Sequence, residues 1–499
     1  MLTIGCLWLC LLSSPIDEAE DAALSEFRKD WRQAFAEEQF ERLGGFVDKL
    51  STFDSPDTAK ALLELFEVIE SQALEIEVQR RKYLLEAKGS AISRLRAQLD
   101  PMRVAQEKIL SRISRFREPE TWKSLADVVL DDDKKPLQLR LAVMYRAVAQ
   151  PGLQEPLERA FRKARDAGEL VSFLDSFSQA EVKLSERVVE KIVDLIDHKD
   201  PSVREQAARL SARLALPAAI EPLIERLESE EGRTQKRFAA SLEVLTRQPL
   251  GTSVTAWQRW FEENGELAAQ GALPLGGGSS GAEVDSRYGT YHGIPQEGRS
   301  IVYVIDCSGS MREAVTSGGR GRGRGSFAPG EPAKEGETSR IDACRRELIR
   351  ALEQLDPETQ FNIVQYANVA EVYSKKMVTA SPKQVERAKK WIESLQADGA
   401  TNIYDAMELA FTLAGRGTFD RYYETAVDTV FLLTDGKPML PGSNGRGEWD
   451  STDRILEGVL RWNPHGRVVV HTVGIGRGVN RDFLQDMAKQ NGGKFSQQN

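Results

Sequence analysis

Cysteine and histidine are scarce in this chain of 499 residues, which contains four of each. Cys6 and Cys10 lie close to the N-terminus, so the main body of the chain has Cys307 and Cys344. Two cysteines cannot form a disulfide framework, and no cysteine or histidine pair has the spacing of a zinc site. The sequence therefore predicts neither a disulfide-stabilised fold nor zinc chemistry.

The chain also has no excess of basic residues. The chain has 67 Lys and Arg residues against 76 Asp and Glu residues, which gives a formal net charge of −9 at pH 7. Because binding to nucleic-acid phosphate needs a basic face that releases counterions, this balance argues against a general affinity for DNA or RNA. Any basic patch must be local, and we expect no nucleic-acid partner.

Long hydrophobic runs are absent except at the N-terminus, where residues 1–15 read MLTIGCLWLCLLSSP. This run is shorter than the roughly 20 apolar residues of a membrane-spanning helix, and it ends in small polar residues and a proline. We interpret residues 1–15 as a signal peptide, which predicts an exported protein (periplasm, cell envelope or secreted) with no membrane span after cleavage. No Lys or Arg precedes the run, so an untargeted apolar N-terminus and a cytoplasmic location stay open.

The composition, with 41% hydrophobic and 29% charged residues, is that of a globular protein long enough for two or three domains. Between residues 16 and 267 glycine is rare and apolar residues recur at helical steps, which predicts an all-helical domain.

Ser55, Pro56 and Asp57 form a typical helix start. In the helix that follows, apolar residues recur with heptad spacing at Leu62, Ile69, Ile76 and Tyr83. This spacing is compatible with a coiled-coil seam or with one long helix packed on its neighbours.

An internal repeat is visible towards the end of the helical region. The residues that align are Ala207 with Ala239, Ala208 with Ala240 and Leu210 with Leu242. The first copy, DPSVREQAARLSARLALPAAIEPLIERL, resembles a HEAT repeat, a pair of helices that stacks into solenoids. The resemblance is clearest at residues 184–248 and implies a HEAT-like solenoid, with an irregular helical bundle as the alternative.

A glycine- and serine-rich stretch, residues 268–298, follows and predicts a flexible linker. Beyond it, short apolar strands alternate with amphipathic helices, which is typical of an α/β domain with a mostly parallel sheet. We expect strands near Ile301, Phe361, Glu371, Val427 and Val468, a short final strand at Lys494, and helices near Ile341, Gln384, Ile403, Ser451 and Asn480.

Three segments of the α/β domain carry oxygen-bearing side chains. They are IVYVIDCSGSM with Asp306, Ser308 and Ser310, DGATN with Thr401, and FLLTDGKP with Asp435. In an open parallel sheet such loops meet beyond the carboxyl ends of the strands. The segments resemble the metal-ion-dependent adhesion site of von Willebrand factor type A domains, which they match at all five positions. The resemblance covers residues 299–499 and implies a doubly wound, Rossmann-like sheet.

The resemblance also implies a bound divalent cation, Mg²⁺ or else Mn²⁺ or Ca²⁺. Mg²⁺ takes six oxygen ligands at about 2.1 Å. Ser308, Ser310 and Thr401 can offer hydroxyl oxygens directly, and the resemblance implies that Asp306 and Asp435 act through bound waters. Such a set leaves the cation short of anionic ligands, so an acidic side chain of another protein can complete it. We therefore expect a non-catalytic, metal-dependent protein-binding scaffold.

The residues beside these segments have simpler interpretations. We expect Asp398 and Asn402 to be loop and helix-start residues, and Cys307 to point away from the metal into the other face of the sheet. His471 lies in the middle of a strand and is expected to pack there.

The resemblance is interrupted by a glycine-rich insertion at residues 312–340, which predicts disorder. Arg320, Arg322 and Arg324 of this insertion could steer an acidic partner, pair with nucleic acid or have no role.

Other functions stay open at this point. An accessory subunit of an ATPase or chelatase-type machine, a Mg²⁺-dependent hydrolase and a structural protein with a vestigial site are the alternatives. The absence of a phosphate-binding loop, of a nucleophile elbow and of a histidine beside the three segments argues against an enzyme. The sequence predicts neither the partner's identity nor the oligomeric state.

Overall fold

The computed structural model describes residues 15–132, 134–179, 183–269, 289–315, 333–334, 337–414, 427–440, 448–476 and 479–498. Three predictions lie wholly or mostly outside these residues: the signal peptide at 1–15, the flexible linker at 268–298, and the disordered insertion at 312–340, including Arg320, Arg322 and Arg324.

The chain divides into two compact units. The N-terminal unit comprises residues 1–78 and 93–160, and the C-terminal unit comprises residues 79–92 and 161–499. The sequence predicted one helical domain over residues 16–267. The structure instead groups residues 79–92 and 161–269 with the sheet, because these helical residues contribute side chains to its core and hydrogen bonds to its loops.

The all-helical region and the α/β region have the following helices. Before residue 270 they are α1 (Pro15–Ala36), α2 (Leu43–Asp48), α3 (Pro56–Leu85), α4 (Gly89–Ser114), α5 (Pro119–Leu130), α6 (Leu137–Val148), α7 (Gln154–Lys163), α8 (Ala167–Phe177), α9 (Glu186–Asp194), α10 (Pro201–Arg213), α11 (Ile220–Leu227), α12 (Gly232–Thr246) and α13 (Val254–Ala269). After it they are α14 (Arg340–Glu353), α15 (Pro382–Ser394), α16 (Ile403–Leu413), α17 (Thr452–Trp462) and α18 (Arg481–Gln490). None of the helices in the described part of the chain is long and apolar enough to cross a bilayer.

Helix α3 begins where the sequence predicted. Pro56 is its first residue, and the Thr58 backbone N–H donates to the Ser55 hydroxyl at 3.1 Å, which caps the helix. Leu62 and Ile69 are fully buried within the N-terminal unit, and Ile76 is nearly so. These three heptad positions therefore pack inside the N-terminal unit. The fourth, Tyr83, belongs to the C-terminal unit and packs against the core of the sheet, and the coiled-coil assignment stays a prediction.

The central sheet is mixed and mostly parallel, as the α/β prediction required. Its strands are β3 (Ser300–Asp306), β4 (Gln360–Tyr366), β5 (Ala370–Val372), β6 (Val378–Thr379), β7 (Thr429–Thr434), β10 (Val469–Ile475) and β11 (Phe495–Gln498). The spatial order is β11-β10-β7-β3-β4-β5, with β6 also paired to β4. β5 and β6 pair antiparallel to β4, and the other neighbours are parallel.

Two short hairpins were missed by the sequence analysis. One joins β1 (Thr290–Tyr291) to β2 (Ile294–Pro295), and the other joins β8 (Met439–Leu440) to β9 (Glu448–Trp449). The first lies inside the predicted linker. This hairpin is anchored to the sheet by Tyr291, which is fully buried and whose ring packs edge-on against the rings of Tyr303 and Phe431.

The candidate repeat lies in helices α10 to α12. Leu210 and Leu242 are both buried, as is Ala208, but Ala240, which aligns with Ala208, is exposed. Arg204 links successive helix pairs, because its Nη2 lies 2.7 Å from Glu230 Oε1. The HEAT assignment stays a prediction.

The helices after residue 160 contact the sheet at the N-terminal ends of its strands. Asp428 and Arg467 lie just before β7 and β10. Arg233 donates to the Asp428 carbonyl at 3.2 Å, and Arg467 Nη2 lies 3.0 Å from Asp200 Oδ2. These two contacts leave the opposite edge of the sheet, at the C-terminal strand ends, available for a binding site.

Residues 79–92 are also tied to the sheet by a buried charge cluster. The Arg80 side chain is fully buried, and its Nη2 lies 2.9 Å from Asp405 Oδ1 and 2.5 Å from Glu408 Oε2. Asp405 and Glu408 lie on α16, the helix that begins just after Thr401. The sequence pattern gave no sign of this cluster, since Arg80 is more than three hundred residues away from Asp405 and Glu408.

Replacing Arg80 by methionine is expected to destabilise the C-terminal unit by about 3–5 kcal/mol, because two carboxylates would lose a buried partner. Urea unfolding followed by circular dichroism measures the effect. The matched control is Arg28→Met, which removes a half-exposed ion pair with Glu64 and should cost less than about 1 kcal/mol. Equal losses in the two variants would contradict the prediction.

His471 predicts a pH dependence of stability. Its ring stacks on Phe431, its Nδ1 accepts from the Lys494 backbone N–H at 3.0 Å, and burial lowers its pKa from 6.5 to about 4. The unfolded chain therefore takes up a proton that the folded chain does not, and the free energy of unfolding falls as the pH drops from about 6.5 to 4.

His471→Gln is expected to make this fall smaller, by at most about 3 kcal/mol over that range, because one group with a lowered pKa is removed. Urea unfolding at pH 7 and pH 4.5 measures both slopes. The control is the less buried His198, whose replacement by glutamine should flatten the slope less. An unchanged slope in His471→Gln would show that this imidazole does not titrate as described.

Candidate metal centre

Two buried carboxylates stand at the ends of adjacent central strands. β3 ends at Asp306 and β7 ends at Thr434, and the parallel register pairs Ile305 with Leu433. Asp306 and the next residue after β7, Asp435, therefore emerge at the same edge of the sheet. Both are buried, Asp306 completely.

The first loop brings its two serines towards these carboxylates. The Ser308 backbone N–H donates to Asp306 Oδ1 at 2.8 Å, and Ser308 precedes a single 3-10 turn at Gly309–Arg312. The hydroxyls of Ser308 and Ser310 lie 3.1 Å apart. The Ser310 hydroxyl donates to Asp435 Oδ1 at 2.7 Å, so the first loop contacts the third directly.

Thr401 comes from the second loop and faces the same small space. A side-chain carbon at Gly436 would lie 3.6 Å from Thr401 Oγ1 and 3.9 Å from Ser310 Oγ. The Thr401 carbonyl accepts from the Met439 backbone N–H at 2.9 Å, which joins the second loop to the third. The hydroxyl groups of Ser310 and Thr401 thus converge beside the carboxylate of Asp435.

Backbone hydrogen bonds also join the first two loops. Gly309 N–H donates to the Gly399 carbonyl at 3.0 Å, and Asp398 N–H donates to the Cys307 carbonyl at 2.8 Å. Gly399 has a φ of +85°, and a Cβ there would meet the Asn368 side chain at 2.6 Å. Glycine is therefore required for this turn, which holds Thr401 in place.

Hydrogen bonds to the protein occupy the Asp306 carboxylate. Thr434 Oγ1 donates to its Oδ2 at 2.7 Å, and the Tyr366 hydroxyl donates to the same oxygen at 3.3 Å. Burial, followed by the charge of Asp435, raises the pKa of Asp306 from 3.8 to about 7, although hydrogen bonds from Ser308 and Thr434 act to lower it. Burial also raises the pKa of Asp435, while the Arg340 guanidinium opposes that rise.

The structure thus brings together all five residues that the sequence analysis singled out: Asp306, Ser308, Ser310, Thr401 and Asp435. Their role as metal ligands stays a prediction. No group of three or more His, Cys, Asp or Glu side chains within the described ranges is placed to hold a metal ion. A cation here would depend on the three hydroxyls as well as the two carboxylates.

The flanking residues behave as expected. Asn402 caps α16, because its side chain accepts from the Asp405 backbone N–H, and Asp398 is an exposed loop residue that pairs with Arg312. Cys307 is fully buried in the hydrophobic cluster on one face of the sheet. Burial raises the pKa of its thiol to about 12, so the thiolate is disfavoured.

Sequence reasoning missed three residues of the centre. Thr434 and Tyr366 donate hydrogen bonds to Asp306, and each is the last residue of a strand beside β3. Their position at the ends of neighbouring strands could have predicted that they contact Asp306. Arg340 Nη1 lies 2.7 Å from Asp435 Oδ2. Nothing in the sequence pattern pointed to Arg340, because the sequence placed it at the last position of the predicted disordered insertion, whereas in the structure it begins α14.

Comparison with known proteins agrees with this architecture. Residues 334–496 match the family model of the von Willebrand factor type A domain. The matched range includes Thr401 and Asp435 and begins after the first loop. Similar curated proteins include an inter-alpha-trypsin inhibitor heavy chain H4 from Homo sapiens, 30% identical over 202 residues, and an inter alpha-trypsin inhibitor heavy chain 4 from Mus musculus, 26% identical over 235 residues.

These matches cover 40% and 46% of this chain but only 18% and 21% of the relatives, so the chain spans about a fifth of their length. Among solved structures, a von Willebrand factor type A protein from Catenulispora acidiphila is 19% identical, with 40% of this chain and 38% of that chain covered and a TM-score of 0.29. The manganese-loaded TRAP protein of Plasmodium vivax is 18% identical, with 38% and 62% covered and a TM-score of 0.25.

The family match and the mostly parallel sheet lead to one conclusion: this chain carries a von Willebrand factor type A domain, which follows an all-helical region.

Proposed function

We propose that the C-terminal unit binds one divalent cation through Asp306, Ser308, Ser310, Thr401 and Asp435, and that the cation captures an acidic side chain of another protein. The observation that carries the proposal is the convergence of three loops, distant in sequence, on one small space lined by hydroxyl and carboxylate oxygens.

The chemistry of the donors suits a hard cation. Carboxylate, hydroxyl and water oxygens are the ligands that Mg²⁺ and Mn²⁺ prefer, whereas zinc sites are usually built with sulfur or imidazole nitrogen. Both oxygens of Asp306 already accept hydrogen bonds from the protein. This supports a role for Asp306 through an intervening water, with the hydroxyls as direct ligands. When bound, the cation supplies the positive centre that attracts the partner's carboxylate.

A binding role, without catalysis, is favoured by the position of the two histidines before and within β10. His471 packs on Phe431 in β10, and His465 pairs with Ser172 at 3.0 Å. Each is therefore engaged in packing away from the three loops. The match to a von Willebrand factor type A domain and the inter-alpha-trypsin inhibitor heavy chains among the relatives support a protein partner. The relatives' own partners do not transfer to this chain, given the small share of their length that it spans.

Titration of the purified chain with MnCl₂ in a calorimeter tests the metal site. We expect one bound ion, and a loss of affinity of roughly tenfold to a hundredfold or more in Asp306→Asn and in Thr401→Val, because each removes a group that holds the cation. The matched control is Asp428→Asn, a partly buried aspartate at the other edge of the sheet, which should bind like the wild type. A wild-type chain that binds neither Mn²⁺ nor Mg²⁺ would refute the proposal.

The open position for a carboxylate is tested on the Mn²⁺-loaded chain with acetate as the probe. Water-proton relaxation reports the waters bound to Mn²⁺, so acetate that displaces one should lower the relaxation enhancement in a saturable way. Sodium chloride at the same ionic strength is the control. An unchanged enhancement would mean that the ion does not accept an external carboxylate, and the adhesive role would fail even if the metal site stands.

We also propose that the chain is exported. The support is the apolar run at residues 1–15, most of which lies outside the described residues. Mass spectrometry of the chain recovered from its native cell should find a mature N-terminus close to Pro15 or Ile16. A retained Met1 in chain from the cytoplasmic fraction would favour the cytoplasmic alternative.

A further inference from the structure

Arg340 places a positive charge next to one of the two carboxylates of the candidate centre. It is the first residue of α14 and is 5% exposed. Its Nη1 lies 2.7 Å from Asp435 Oδ2, and its Nη2 lies 3.1 Å from Glu313 Oε2. The other oxygen of Asp435 accepts from the Ser310 hydroxyl. The arginine therefore engages the side of the carboxylate that Ser310 leaves open.

The backbone holds the arginine in this position. Arg340 N–H donates to the Glu313 carbonyl at 2.9 Å, and Val315 N–H donates to the Thr338 carbonyl at 3.0 Å. These bonds join the start of α14 to the end of the first loop. Ser339 caps the helix by accepting from the Asp342 backbone N–H. This local pairing fixes the backbone position from which the guanidinium reaches Asp435.

Space for the guanidinium is provided by a glycine at the end of β10. Gly476 has a φ of +77°, and a Cβ there would lie 3.2–3.3 Å from three atoms of the Arg340 guanidinium. Any larger residue would crowd the arginine as well as strain the backbone. The first loop, the third loop and the end of β10 thus form a fitted pocket around this one side chain.

The guanidinium cannot be a metal ligand, because it has donors and no free acceptor. Its effect must pass through Asp435. In a buried site, a divalent cation near Asp435 would stand close to the charge of Arg340, and like charges repel strongly where water is excluded. Without a cation, the same charge compensates a buried carboxylate that would otherwise be costly.

We infer that Arg340 is a built-in counter-cation of Asp435: it stabilises the metal-free chain and weakens the binding of divalent cations at the centre. The inference rests on the metal site proposed above. Arg340 is a positioning residue in this scheme, and it sets the cation concentration at which the binding face becomes active.

Arg340→Gln tests the inference. We expect Mn²⁺ and Mg²⁺ to bind about tenfold more tightly than to the wild type in calorimetric titration, since one opposing charge is removed. The melting temperature should fall in EDTA and fall less in saturating Mg²⁺. The matched control is Arg467→Gln, which breaks a buried arginine–aspartate pair at the other edge of the sheet. It should lower the melting temperature equally in both conditions and leave the metal affinity unchanged.

The outcomes separate the two proposals. If neither the wild type nor Arg340→Gln binds either cation, the metal site itself is refuted. If the wild type binds and Arg340→Gln binds with equal or lower affinity, only the role of Arg340 is refuted. A variant that melts cooperatively in Mg²⁺ but not in EDTA supports the role directly.

Glu313→Gln provides a second variant in case Arg340→Gln does not fold. This variant leaves the arginine in place and removes the second carboxylate that pairs with it. The positive charge of Arg340 is then balanced by Asp435 with no help from Glu313. Cation affinity should therefore fall several-fold, opposite in sign to the first variant. An unchanged or higher affinity in Glu313→Gln would count against the counter-cation role.

Discussion

The burial of two carboxylates at the ends of neighbouring strands is the constraint on which the candidate centre depends. Asp306 and Asp435 emerge at the same edge because β3 and β7 are parallel and adjacent. A charge removed from water is costly unless it is hydrogen-bonded or paired. The surrounding residues meet this requirement. Thr434 and the Ser308 backbone donate hydrogen bonds to Asp306, while Ser310 donates to Asp435 and Arg340 forms an ion pair with it.

Preorganisation of the loops follows from the same arrangement. Hydrogen bonds link each loop to the other two, through Gly309 and Gly399, Met439 and Thr401, and Ser310 and Asp435. The strands beneath are packed on both faces by helices. The helices between residues 161 and 269 belong to the C-terminal unit and contact the sheet at the opposite strand ends. The candidate centre and the contacts of these helices thus lie at different edges of one sheet.

Sequence patterns predicted much of this arrangement. The strands near Ile301 and Phe361 and the helices near Ile341 and Ile403 are where apolar periodicity expected them. Boundaries were less well predicted: residues 289–298 looked like linker because glycine dominates the stretch before them, yet Tyr291 anchors a hairpin in the core. Local composition cannot show that one aromatic side chain finds a distant hydrophobic cluster.

The sequence by itself determined the fold class and the five oxygen-bearing residues, because strand periodicity and loop position are local properties of the chain. Only the tertiary structure decided what surrounds those residues. Arg340 on Asp435, Thr434 and Tyr366 on Asp306, and Arg80 on α16 are contacts between segments far apart in sequence. Such contacts depend on strand order and on which groups need compensation once buried, and no periodicity in the chain encodes either of them.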